Sequence, residues 1–185
     1  MMKDSLQSLK QVIDETGFLD LPARRKLWSE LGEIEREGPY AVVTEGLIRR
    51  VEIAKKCVKH GETESINTKV LGIDDLFNKV NDYLQKKISV SDMEKVFFNY
   101  QELIERVGFE GDDDRVGLIG MAASHAAHIA VYDESIMYTL DEDTLDEDLD
   151  SFTWDTSYLI SLLFENNPMD FWKWYWELFD EYLHE

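Results

Sequence analysis

Cys57 and His60 lie three residues apart, a spacing that puts a thiol and an imidazole on one face of a helix, as a nucleophile and its base would be. Lys55, Lys56 and Lys59 surround them, and such a cationic helix end would lower the thiol pKa. No third group to orient the imidazole and no oxyanion donor can be named beside them. Ordinary dipole and cap chemistry explains a histidine at a helix C-terminus more simply. His125 and His128 repeat the spacing and, with Asp133 or Glu134 just beyond, could supply metal ligands. This H-x-x-H lacks the intervening glutamate of the metalloprotease pattern, and in an alanine-rich helix a packed, hydrogen-bonded pair is the simpler reading. Glu181 and His184 make one Glu-x-x-His, where a di-iron bundle needs two such motifs and two further glutamates.

A second kind of chemistry is purely electrostatic. Residues 141–150 hold seven carboxylates: Asp141, Glu142, Asp143, Asp146, Glu147, Asp148 and Asp150. Asp146, Asp148 and Asp150 would fit positions 1, 3 and 5 of a calcium loop, but Ser151 stands where its glycine is needed and Ser157 where its bidentate glutamate is needed. No GxSxG, P-loop, GxGxxG or CxxC is present. No active site and no cofactor is expected. The last unusual stretch is aromatic: Phe171, Trp174, Tyr175, Leu178 and Tyr182 form one helical stripe, and Trp172, Trp176, Phe179 and Leu183 form another. Two stripes suit either an enveloped core helix or one that offers Trp172 and Trp176 as partly exposed interface anchors.

The elements that would position these groups are helical throughout. Leu6, Leu9, Val12 and Ile13 recur at helical spacing and stop at Gly17; a second helix opens at Pro22 and ends at Gly32, and the two are expected to form a short hairpin. After Gly38-Pro39 the pattern predicts a helix over 40–59, closed by Gly61. Residues 61–69 read as a loop, 73–87 as a helix, and Ser91-Asp92-Met93-Glu94 as the capping box of a helix running to Gly108. Helices are further expected over about 113–132, 153–165 and 169–183, with 141–150 as solvated loop. No strand-like alternation and no fixed-period repeat stands out. The expected architecture is all-α, a compact single-domain bundle of about eight helices.

Composition agrees. The chain has 185 residues, 44% apolar, with three prolines and one cysteine, enough for one domain with a sizeable core and no disulfide scaffold. A lone cysteine suits a reducing cytoplasm, and the longest apolar stretch, 117–132, is too short to span a bilayer. Of the net charge of −20, residues 1–100 contribute −1 (16 basic, 17 acidic) and residues 101–185 contribute −19 (3 basic, 22 acidic). Such a field repels phosphates and anionic lipid, so direct nucleic-acid or membrane binding is not expected, and it would steer a basic protein toward itself.

The order of segments in the C-terminal third resembles a known family. A small-residue helix ends in Tyr132-Asp133-Glu134, then come Leu149-Asp150, Trp154-Asp155 and an aliphatic helix, then Phe171-Trp172-x-Trp174-Tyr175-Trp176. With Arg24-x-x-Leu27-Trp28-x-x-Leu31-Gly32 near the start, this is similar to immunity protein family 5 of bacterial polymorphic toxin systems. The resemblance implies a small cytoplasmic α-helical protein that binds and neutralises a cognate toxin domain. From charge, not from the family, the expected contact residues are Asp112, Asp113, Asp114, Asp141, Glu142, Asp143, Asp146, Glu147, Asp148 and Asp150, with Trp172 and Trp176 as aromatic anchors. An acidic adaptor for some other basic protein, as a monomer or as a homodimer through its aromatic helix, is the alternative, and a metal enzyme built on His125 and His128 is a third; the sequence leaves the oligomeric state open.

Overall fold

Asp20, Thr44, Ser89, Asp113 and Asp155 each stand just before a helix and accept a hydrogen bond from a backbone N–H of its first turn, satisfying donors that a helix start leaves without partners. They punctuate the chain in the computed structural model, which describes residues 2–65, 67–109 and 113–184. The elements are α1 (Met2–Thr16), α2 (Leu21–Glu30), β1 (Arg36–Glu37), β2 (Tyr40–Ala41), α3 (Glu45–Glu62), α4 (Ile73–Leu84), α5 (Val90–Ile104), α6 (Asp114–Tyr132), α7 (Ile136–Thr139), α8 (Thr156–Ser161) and α9 (Pro168–His184). Short 3-10 turns lie at Thr68–Leu71, Asp146–Asp148 and Leu162–Phe164, and a π turn at Glu105–Phe109. Among the described residues the fold is thus all-α apart from one minimal antiparallel hairpin that pairs Arg36 with Ala41 and Glu37 with Tyr40. No helix of the described residues is long and apolar enough to cross a membrane.

The axis is α6. Ala122, Ala123, Ala126, Ala127 and Ala130 are fully buried, and side chains this small let α3, α4, α5 and α8 close around one helix. At the tightest approach a Cβ on Gly108 would lie 2.6 Å from the Gly117 Cα, so only glycine fits where the π turn crosses the start of α6. The aliphatic stripes of α3, α4 and α5 then complete a core that also takes in Phe171, Trp172 and Phe179 of α9.

Four expectations change. Residues 40–44 are not helical: Tyr40 and Ala41 pair with the preceding strand, and α3 starts five residues later, behind Thr44. Gly61 lies inside α3 rather than ending it; a Cβ there would lie 2.5 Å from Ile160 Cδ1, so the glycine admits α8. The capping box is Ser89 with Asp92, two residues before the expected one. And α1 packs mainly on α9, not on α2.

Candidate partner-binding surface

The buried polar residues explain how the acidic loop is held. Arg24 sits on α2 among Leu21, Leu27 and Trp28, fully buried. A buried guanidinium must find carboxylates, and it finds two, 122 and 131 residues away in sequence. Its Nη2 donates to Asp146 and, at 2.6 Å, to Asp155; Nε donates to Asp155 Oδ2 at 3.1 Å; Nη1 donates to the Leu19 carbonyl at 2.7 Å. The other oxygen of Asp155 caps α8 through Ser157 N and Tyr158 N. Burial opposes charge on Arg24, yet Asp155 and Asp146 outweigh it and raise its pKa; burial likewise opposes the Asp155 carboxylate, and Arg24 with Ser157 still holds it below the ordinary range.

A second guanidinium, Arg50 on α3, donates Nε and Nη2 to the two oxygens of Asp133 at 2.7 and 2.8 Å, and Nη1 to the Trp28 and Gly32 carbonyls. Trp28 Nε1 in turn donates to the Tyr175 hydroxyl at 3.0 Å. Arg24, Trp28, Asp133, Asp155 and Tyr175, which carry much of the sequence resemblance, are therefore interior groups that tie the first third of the chain to the last.

Around this frame the loop faces solvent. Asp141, Glu142, Asp143, Glu147, Asp148 and Asp150 are exposed. Arg25 donates to the carbonyls of Met137, Leu140 and Asp141, and Trp154 Nε1 donates to the Asp146 carbonyl at 3.1 Å, so the loop is fastened at its start and at its middle. Between the loop, α6 and the hairpin runs a groove of ≈ 440 Å³, with Met121, Leu140 and Leu159 among its apolar lining and Phe152 and Trp154 on the loop side.

Several expected site residues fall elsewhere. Asp146 is buried by its ion pair with Arg24, so it is a structural carboxylate and not part of a solvated run. Trp172 is fully buried, against Phe18 and under Arg24, which removes it as an exposed anchor. Trp176 is half-buried, donates Nε1 to the Leu6 carbonyl and lies under Lys10, so α1 already occupies it. Asp113 caps α6 and Asp114 is exposed beside it, at the start of a helix that lines the groove only from Met121 onward. Asp112 lies outside the described residues.

The chemical pairs separate too. Cys57 is fully buried, and burial pushes its thiol up, reversing the expected lowering. His60 stacks against Trp174 and Phe164 with centroids at 3.9 and 5.0 Å, and burial lowers its pKa. His128 Nδ1 donates to the Ser124 carbonyl at 2.7 Å and its ring stacks on Phe97, while His125 Nε2 meets Glu134 at 3.4 Å. Among the described residues no three His, Cys, Asp or Glu side chains converge as a metal would require.

Sequence comparison decides what this frame belongs to. A family model of the immunity protein Imm5 matches residues 6–179 of the 185. The chain is a member of the Imm5 family. No curated protein matches it. In this Imm5 member the matched span contains all of the interior pairs, Arg24 with Asp146 and Asp155, Arg50 with Asp133, and Trp28 with Tyr175. What sequence reading missed was the role of the two arginines and the position of Phe152. Arg24 and Arg50 could have been flagged as cations on apolar helix faces, Arg24 between Leu21 and Leu27 and Arg50 between Leu47 and Ala54; nothing local marks Phe152.

Proposed function

We propose that this immunity protein protects its cell by capturing a cognate toxin domain of basic character in the cytoplasm, through the acidic loop 141–150. The observation that carries this reading is the exposure of six carboxylates on one loop that Arg25 holds at its start and buried Arg24 holds at its middle through Asp146. Held in place, these charges attract a basic surface over about a Debye length, roughly 10 Å at moderate salt, and suppress association with anionic partners. Asp113 and Asp114 extend the same field from the far end of α6. A toxin that acts on nucleic acid presents basic residues to phosphates, and an acidic loop competes for that surface.

The test is co-expression with the toxin domain encoded by the adjacent gene, scored for survival and then for co-purification at low and high salt. Rescue together with a salt-sensitive complex is the expected result. A lethal neighbouring toxin that this protein neither binds nor counters would overturn the reading in favour of an acidic adaptor. Reversing the charge of Asp141, Glu142, Asp143, Glu147, Asp148 and Asp150 should slow association; an unchanged salt dependence would sink the steering role of the loop.

A further inference from the structure

The carboxylates account for attraction, yet exposed ion pairs contribute little to how long a complex lasts. Durable complexes rest on a few desolvated aromatic or aliphatic anchors. Phe152 is such a group: at 76% exposure it is the most open of the described large apolar side chains. Its backbone is also fixed in place. Its N–H donates to Asp150 Oδ1 at 3.0 Å, and the Thr153 N–H and hydroxyl both donate to the Asp150 carbonyl, at 3.0 and 2.8 Å. The neighbouring Trp154 is pinned to the Asp146 carbonyl, and Asp146 is pinned by Arg24. An aromatic ring presented to water from a hydrogen-bonded turn adds nothing to the core, and covering it costs side-chain freedom but little backbone freedom.

Phe152 stands at the lip of the ≈ 440 Å³ groove described above, which is large enough for one or two side chains and mainly apolar in its lining, with Arg36, His125 and His128 among its polar members. The chain segments that form its rim, ending at Leu140 and resuming at Ser151, are the two ends of the acidic loop. Asp141 and Asp150, exposed and adjacent in sequence to the lining residues Leu140 and Ser151, flank the groove, so an apolar side chain accompanied by Lys or Arg meets opposite charge beside it. We propose that this groove and Phe152 form the anchoring centre of the toxin contact, taking an apolar side chain presented on a basic face of the toxin. The inference rests on the capture reading above and assigns its energetic centre. Phe98, 66% exposed on α5 beside Glu94 and Lys95, has mixed charge around it and no acidic loop, and serves as the control.

The experiment measures binding kinetics of the full chain against an inactivated toxin domain from the adjacent gene. Phe152→Ala should raise koff roughly 10- to 100-fold and leave kon and its salt dependence nearly unchanged. Thr139→Trp, which fills the groove from an exposed position on α7, should do the same. Phe98→Ala should change neither rate. Neutralising Asp141, Glu142 and Asp143 should instead lower kon and flatten its salt dependence. If the unaltered protein binds but Phe152→Ala and Thr139→Trp, both with native melting temperatures, match it within twofold in koff, the anchoring site is elsewhere and the capture reading survives. If the unaltered protein does not bind its toxin, the capture reading fails and the anchor with it.

Discussion

Arg24 touches two carboxylates that serve different parts of the molecule, Asp146 in the acidic loop and Asp155 at the start of α8. Replacing it with methionine keeps most of the volume but leaves both carboxylates in the interior without their cation. The expected cost is about 3–5 kcal/mol, because breaking a buried ion pair strands the remaining charge; urea unfolding midpoints measure it. Arg24→Lys should recover only part, since an ammonium cannot span both carboxylates with a planar fork. The two histidines of α6 give a prediction with opposite signs. Burial disfavours a charged His125, but Glu134 and, more weakly, Asp155 outweigh it and raise its pKa above the ordinary 6.5. Burial also pushes the Glu134 carboxyl up, so the pair holds its protons more tightly in the folded state. The stabilisation from His125 is therefore complete below the unfolded value and is lost as pH rises through the raised one. His128, lowered chiefly by burial, contributes stability above its unfolded value that is lost as pH falls. His125→Gln should cost more stability near pH 6 than near pH 8.5, and His128→Gln the reverse; equal losses at both pH values for either variant would refute the assignment.

At the level of helices, packing overrides local pattern in identifiable places. Gly17 and Gly32 end their helices as the sequence suggests, both at positive φ, where glycine is favoured. Gly61 looks the same in sequence but serves a different need, because the requirement comes from Ile160 almost a hundred residues later. Gly61→Ala should cost about 1–3 kcal/mol through overpacking, and Ile160→Ala in the same chain should return part of that. A double-mutant cycle showing simple additivity would mean that α3 and α8 do not meet as described. Distant partners likewise decide which residues of the candidate surface reach solvent. Seven carboxylates in residues 141–150 look alike in composition, and only the location of Arg24 singles out Asp146 as interior. In α9 the two aromatic stripes are both legible, but which one the rest of the chain covers depends on α1 and on Phe18, and these bury Trp172 and engage Trp176. Helix existence followed local periodicity; long-range pairing did not.

For the whole molecule the division of charge is the governing fact. With −19 of the −20 carried by residues 101–185, association with a basic toxin should slow at least tenfold between about 20 mM and 500 mM salt, whereas dissociation should change far less; stopped-flow mixing across a salt series checks both. The ion pairs within the fold have a consequence for the order in which the protein is made. Arg24 waits for Asp146 and Asp155, Arg50 for Asp133, and Trp28 for Tyr175, so every one of these early groups is satisfied by a late one. While the ribosome is still translating the first hundred residues, α2 and α3 can offer their guanidinium groups only the carbonyls of Leu19, Trp28 and Gly32, and no carboxylate to balance the buried charge. The nascent N-terminal half should stay open and accessible to protease until the last helices emerge, and then close as a unit. On the capture reading proposed above, only a finished chain can bind, and one stalled before α8 offers a toxin nothing to hold.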